Sequence, residues 1–327
     1  MTKERILITG ISGFIGNELA EKAEKEGYEV AGIIRQSYRY NDAINRMKGK
    51  IKLYEGSLTD PAKMVNIVTD FMPDYVAHLG AITPVSYSFE HPWEVININL
   101  LGTVNLTEAL KRFCPNLKRF VFASSMETYG HQPEYHKKFK PFDEETPQMA
   151  ACPYAVAKIG AEKYVKYLYY AYKFPGVSLR QTNTYGRRDN DYFVAEAFIT
   201  QMLKNPDEVN FGNPEPVRNF LYIDDLVDLY LTLFKSKNKK ILGESFTIGP
   251  PNGITIGQLA DSIKSKLNWK GKINWYTREI RDGEIYYLNS NNKKITEMTG
   301  WEPKVGLSEG LDKTIDYWRN KLNVKNR

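Results

Sequence analysis

A short apolar run, Arg5-Ile6-Leu7-Ile8-Thr9, leads straight into Gly10-Ile11-Ser12-Gly13-Phe14-Ile15-Gly16. The run has the length and composition of a buried strand, and Asn17 to Glu26 repeats with helical periodicity. Strand, glycine turn and helix form a demanding unit. The glycines let backbone approach a ligand closely, and the helix start offers free N–H groups and a positive dipole. The turn therefore suits a diphosphate, with Gly10, Gly13, Phe14, Ile15 and Gly16 as its contacts. The spacing is GxxGxxG rather than the commoner GxGxxG.

Downstream, strand and helix patterns alternate. Strands are expected at Glu29–Ile34, Ile51–Tyr54, Tyr75–Leu79, Phe120–Ala123 and Val177–Arg180, with helices over Pro61–Phe71, Pro92–Phe113 and Tyr154–Lys173. This alternation predicts an α/β fold, a doubly wound parallel (Rossmann) sheet with ligands at the strand C-termini. The second strand ends in Arg35, with Arg39 close behind. A guanidinium there suits a 2′-phosphate, which favours NADP over NAD. Leu79, followed by Gly80-Ala81, ends the fourth strand with little bulk beyond it, as a cofactor lying across that end requires. His78, inside an apolar strand, is expected to be a packed core histidine.

After Arg180 the pattern breaks up. Residues 1–180 are expected to form the dinucleotide-binding domain, with 218–243 returning to it. Residues 181–217 and 244–327 are expected to form a smaller α/β substrate lobe.

Composition narrows the chemistry. The chain of 327 residues carries a net charge of +6 with its basic residues scattered, which gives no stripe for nucleic acid. Two cysteines, Cys114 and Cys152, fit neither a zinc site nor a disulfide framework and suggest a reducing cytoplasm. The four histidines form no metal-binding pattern, so no catalytic metal is expected. No apolar run approaches the roughly 18 residues of a membrane span. The start, Met1 to Arg5, leaves no room for a signal peptide before the first strand.

Near the middle, Pro153-Tyr154-Ala155-Val156-Ala157-Lys158 places a tyrosine and a lysine one helical turn apart. A neighbouring cation favours the phenolate, which makes the phenol a useful proton carrier. Taken alone, such a pair is an ordinary surface feature. Five further tyrosines between Tyr164 and Tyr172 could pack on the sheet or on a second subunit.

The ordered set Thr9 to Gly16, Ser124-Ser125, Tyr154-xxx-Lys158 and Arg180-Gln181-Thr182-Asn183-Thr184-Tyr185-Gly186 resembles the extended short-chain dehydrogenases/reductases, the nucleotide-sugar epimerases and dehydratases. The resemblance extends to Arg218–Asp225 and Arg281–Ile285. It implies that Tyr154 exchanges a proton with a sugar hydroxyl while hydride moves to the nicotinamide. Lys158 would hold the nicotinamide ribose and lower the phenol's pKa, and Ser125 would bond the same sugar oxygen. Asn183, Arg218 and Arg281 would contact the substrate's diphosphate and nucleoside. Thr83, Ser88 and Met126 complete the expected substrate contacts. Relatives commonly pair through the helices after Pro92 and Tyr154, so a homodimer is implied.

Glu127, two residues after Ser125, is similar to the glutamate of 4,6-dehydratases. There it would remove the C5 proton of a 4-keto sugar. Val30 to Ser37, Ser88–Pro92 and Gly212-Asn213 look like GDP-mannose 4,6-dehydratases. Met126 departs from the pattern. It stands where dTDP-glucose dehydratases have the aspartic acid that protonates the leaving hydroxyl. Ser57 likewise replaces an aspartate for the adenine amino group. The leading expectation is a nucleotide-sugar 4,6-dehydratase. A 4-epimerase or C4 dehydrogenase/reductase is the alternative, and a catalytically degenerate dinucleotide-binding protein a remote one.

Overall fold

The computed structural model describes residues 3–35, 45, 47, 49–188, 190–277 and 283–324. Strands β1 (Arg5–Thr9), β2 (Glu29–Ile34), β3 (Lys52–Glu55), β4 (Tyr75–His78), β5 (Arg119–Ser125) and β6 (Gly176–Gln181) are joined by helices in the first half of the chain. These helices are α1 (Phe14–Lys25), α2 (Pro61–Phe71), α3 (Val85–Glu90), α4 (Pro92–Ile96), α5 (Gly102–Phe113), α6 (Pro133–Lys137) and α7 (Pro153–Tyr172). The seven-stranded sheet runs β3-β2-β1-β4-β5-β6-β11, where β11 is Ser245–Ile248. Every recorded pairing in it is parallel. Helices on both faces bury the strands, so β5 and β6 are buried along their whole length. Strand order reverses between β1 and β4, which opens a crevice at their C-terminal ends.

The remaining elements are β7 (Asn183–Tyr185), α8 (Val194–Lys204), β8 (Glu208–Asn210), β9 (Val217–Arg218), β10 (Phe220–Tyr222) and α9 (Ile223–Lys235). After β11 come β12 (Ile254–Thr255), α10 (Ile256–Lys266), β13 (Lys272–Asn274), β14 (Tyr287–Leu288), α11 (Lys293–Thr299) and α12 (Leu307–Lys321). Short sheets β12-β9-β14, β10-β7 and β13-β8 stand apart from the main sheet. Helix α9 packs on α1, and Lys22 pairs with Asp228 across that contact.

Two local readings change. Ser245–Ile248, expected in the small lobe, pairs with β6 as the last strand of the main sheet. The long helix after Pro92 contains a π turn at Asn97–Leu101. There Asn99 turns inward, donating to the Ile82 carbonyl at 2.9 Å and accepting its N–H at 2.8 Å. This ties the loop after β4 to the helix, a role that hydrophobic periodicity does not reveal.

Candidate active site

Backbone geometry makes the glycine turn. Gly10 has φ +69, a left-handed conformation, and a Cβ there would lie 2.8 Å from the Gly80 nitrogen. A Cβ at Gly16 would collide with the Gly10 carbonyl. The Gly13 N–H closes the turn onto Gly10 O at 2.9 Å. Thr9 Oγ1 accepts the Gly80 N–H at 2.9 Å and meets His78 Nδ1 at 2.7 Å. His78 is the buried core residue expected. Its other ring nitrogen lies 2.9 Å from Thr103 Oγ1, and burial pushes its pKa down to about 3, with Lys158 adding to the effect.

The crevice is one cleft of about 1340 Å³. Of the sequence-derived candidates, Gly10, Gly13, Phe14, Ile15, Gly16, Arg35, Leu79, Thr83, Ser125, Met126, Glu127, Tyr154, Lys158, Asn183 and Arg218 line it. A glycine cradle that no side chain could share, with a helix start behind it, fits a dinucleotide diphosphate. Arg35 is exposed at the end of β2. Ser88 is the exception. It is fully buried in α3, and its hydroxyl donates to the Val85 carbonyl at 2.7 Å, so it faces the interior and not the cleft. Arg281 and Arg39 lie outside the described residues.

Strand β5 and helix α7 bring Ser125, Tyr154 and Lys158 to the same cleft. Ser125 ends β5 in extended conformation, and its Oγ accepts the Glu127 N–H at 3.2 Å. Helix α7 starts with Pro153 at its first position, and Cys152 Sγ accepts the Ala155 N–H at 3.4 Å. Tyr154 and Lys158 are 7% and 3% exposed, so both titrating groups are almost dry. Burial raises the Tyr154 phenol, the hydrogen bond with Ser125 draws it down, and the Glu127 charge raises it again. Burial lowers Lys158 to about 7. The expected lowering of the phenol's pKa by Lys158 is not what sets Tyr154 here: burial, Ser125, Glu127 and Cys152 do. Lys158 Nζ donates to the Ala123 carbonyl at 2.7 Å and lies 5.7 Å from the Tyr154 ring centre. The hydroxyl of Ser125 is the neighbour that eases ionisation of Tyr154.

Met126 is 2% exposed and packs with Tyr129, Phe142, Val217 and Tyr287, forming an apolar wall beside the half-buried Glu127. Arg218 is also buried. Its guanidinium donates to the Val217 carbonyl at 2.9 Å and the Ile285 carbonyl at 2.7 Å, with Glu284 at 4.0 Å.

Three charged groups at or beneath the cleft escaped the sequence reading: Glu162, Arg187 and Glu196. Glu162 lies one turn beyond Lys158 on α7 and accepts from Arg180 and from the Ser124 hydroxyl at 2.7 Å. A glutamate within the apolar run Val194 to Ile199, and the Arg187-Arg188 pair after Gly186, were the available signals. Among the described residues, no group of three or more potential ligands could hold a metal ion, and no helix is long and apolar enough to cross a membrane.

The family model described as GDP-mannose 4,6 dehydratase matches residues 7–314. Human dTDP-D-glucose 4,6-dehydratase is 30% identical over 336 residues, covering 99% of this chain and 92% of that protein. The crystal structure of UDP-glucose 4-epimerase from Thermotoga maritima with UDP-glucose is 30% identical and superposes with a TM-score of 0.87, covering 97% of this chain and 99% of that one. The Thermus thermophilus UDP-glucose 4-epimerase complex with NAD is 26% identical with a TM-score of 0.85, covering 96% and 99%. Dehydratases and epimerases thus stand at equal distance. With similarity running the length of the chain, the protein is an enzyme of the extended short-chain dehydrogenase/reductase family, among its nucleotide-sugar epimerases and dehydratases.

Proposed function

We propose that the enzyme is a 4,6-dehydratase acting on a nucleoside-diphosphate hexose, with a GDP-hexose as the candidate substrate. The observation that carries this reading is the carboxylate of Glu127. Glu127 lines the same cleft as Tyr154, and its backbone N–H is held by Ser125 Oγ at 3.2 Å. A C4 epimerase needs no such base.

Gly10, Gly13, Phe14, Ile15 and Gly16 would hold a nicotinamide dinucleotide, which would supply the hydride acceptor and donor. Tyr154 takes the proton of the C4 hydroxyl, whose oxygen Ser125 bonds, as hydride leaves C4. The resulting ketone acidifies the C5 proton, and Glu127 removes it. Met126 has no proton to give. Glu127 therefore carries its newly acquired proton to the C6 hydroxyl, which departs as water. Return of that hydride to C6 would be matched by a solvent-derived proton at C5, while Tyr154 releases to solvent the proton it took from the C4 hydroxyl, leaving a 4-keto-6-deoxy sugar. Lys158 orients the nicotinamide ribose. Asn183 and Arg218 hold the nucleotide, the substrate class named in the Thermotoga neighbour's title. Arg35 supports NADP through its 2′-phosphate; NAD, named with the Thermus neighbour, is the alternative.

The apolar wall of Met126 favours a second reading, simple C4 epimerisation. A panel of GDP-, UDP-, CDP- and dTDP-hexoses in heavy water separates the two. Dehydration places solvent deuterium at C5 and yields the 4-keto-6-deoxy product. Inversion at C4 without exchange at C5 replaces the dehydratase reading with the epimerase one. In Glu127→Gln, dehydration should fall about a hundredfold or more, as expected on losing a positioned base. Product analysis by mass spectrometry measures this.

We further propose a homodimer through α4, α5 and α7. Their outer faces carry Trp93, Val156 and Tyr170, with Trp93 84% exposed. The two buried free cysteines suit a cytoplasmic setting.

A further inference from the structure

The segment after β7 reaches from the small lobe onto the start of α1. There Arg187 is held between two aromatic rings. Its guanidinium carbon lies 4.6 Å from the centre of Phe14 and 3.7 Å from that of Phe193. Arg188 extends the contact, with Nε 3.4 Å from Glu18 Oε1. Phe14 is the first residue of α1 and immediately follows Gly13 of the turn. Arg187 therefore sits beside the diphosphate cradle and lines the same cleft.

Its environment is unusual for a structural ion pair. The side chain is only 12% exposed. Stacking engages the faces of a guanidinium and leaves its N–H groups, which lie in the plane, for hydrogen bonding. Nη1 donates to the Thr184 carbonyl at 2.5 Å. The nearest carboxylate, Glu196, keeps its Oε2 at 3.5 Å. Glu196 is fully buried, and its Oε1 accepts the N–H groups of Gly186 and Arg187, each at 2.9 Å. Its Oε2 has no hydrogen-bond partner. Glu196 therefore anchors the arginine's backbone more firmly than its charge. This pair has not closed into the short two-pronged bridge that arginine and carboxylate usually form.

We propose that Arg187 is a diphosphate-binding residue, and that the diphosphate it binds is that of the dinucleotide. Two diphosphates enter a cleft of this kind, one in the dinucleotide and one in the sugar nucleotide. Contact with Phe14 of the glycine turn selects the first. The assignment rests on the nicotinamide dinucleotide alone and is independent of whether dehydration or epimerisation follows.

The test is Arg187→Met in the full chain, which keeps an apolar stem between the two rings and removes the charge. Calorimetric titration with NAD and NADP should show roughly tenfold or greater weakening, the scale of a lost charge-assisted hydrogen bond. Adenosine, which lacks the diphosphate, should bind as it does to the wild type. GDP, UDP and dTDP, titrated into dinucleotide-saturated protein, should also bind as they do to the wild type. Unchanged dinucleotide affinity overturns the proposal, and so does a loss confined to the nucleoside diphosphates. Should Arg187→Met fail to fold by circular dichroism, Arg187→Lys replaces it. That variant keeps a charge but not the planar stack, and a smaller loss for the dinucleotides alone is expected. Wild-type dinucleotide affinity in it overturns the proposal equally.

Discussion

Among the described residues, the buried pairs Glu162–Arg180 and Glu196–Arg187 behave in opposite ways. Glu162 and Arg180 lie beneath the reaction centre, 2% and 6% exposed and 2.7 Å apart. Glu162 also accepts the hydroxyls of Ser124 and Ser245 at 2.7 and 2.9 Å, while Arg180 donates to the Tyr129 hydroxyl at 2.7 Å. Burial pushes the Glu162 carboxyl up, but Arg180 and the two hydroxyls outweigh it, so its pKa is lowered. At Glu196 burial again pushes up. There Arg187 and the backbone N–H groups do not offset it, and the pKa is raised. The number and closeness of donors decides the sign. A closed network joins β5, β6, β11 and α7 into one rigid platform. An open pair marks a place where another charged group can be received.

Variants can sharpen this contrast or break it. The platform includes helix α7, which carries Tyr154 in its first turn, and the largest effect belongs to Tyr154→Phe. Turnover of the sugar nucleotide should fall about a thousandfold or more, within the range for a lost acid–base group. Dinucleotide affinity and the urea midpoint should stay at wild-type values. Substantial turnover in that variant would remove Tyr154 from the chemistry.

Next comes Glu162→Gln, which strands the Arg180 charge. It should destabilise the fold by about 3–5 kcal/mol, measured by urea unfolding. In Glu196→Gln the amide oxygen still accepts the two backbone N–H groups, and a loss of about 1 kcal/mol is expected. Equal losses in the two variants would end the distinction between a closed and an open pair.

Acid separates them further. Glu162 has a folded pKa below its unfolded one. Its stabilisation is complete above the unfolded pKa and is lost as pH falls through the folded value. Glu196 has a raised folded pKa. Its ionised form costs stability above that value, and the cost disappears as pH falls towards the unfolded pKa. Urea midpoints from neutral to acidic pH should therefore show the Glu162→Gln deficit shrinking with acid. The Glu196→Gln deficit should instead be smallest at neutral pH and grow with acid, as protonation removes the cost of the ionised wild-type carboxylate. The smallest effect is expected at the exposed rim. Arg35→Asp should shift the ratio of NADP to NAD affinity by about tenfold towards NAD, as one charge-assisted bond is worth. An unchanged ratio would mean that Arg35 does not read the 2′-phosphate.

The glycine turn, the alternating strands and the Ser125, Tyr154 and Lys158 centre were legible in the sequence because each is local. A turn, a strand end and one helical turn fix their own geometry. Ser88 misled because its neighbours match a family segment, while its direction depends on how the short helix α3 packs. Met126 was legible as a residue without a proton, and folding adds that it belongs to the apolar cluster under the small lobe.

The sequence by itself determined the sheet, the cradle and the one-turn spacing of Tyr154 and Lys158, since periodicity and short spacings encode them within a few residues. The tertiary structure decided which strand closes the sheet, where Lys158 sends its hydrogen bond, and which buried charges are satisfied. Those outcomes join residues 18 positions apart in Glu162 and Arg180 and 35 apart in Ala123 and Lys158. Burial and partner count, which set the behaviour of each charge, exist only after the chain has brought such groups together.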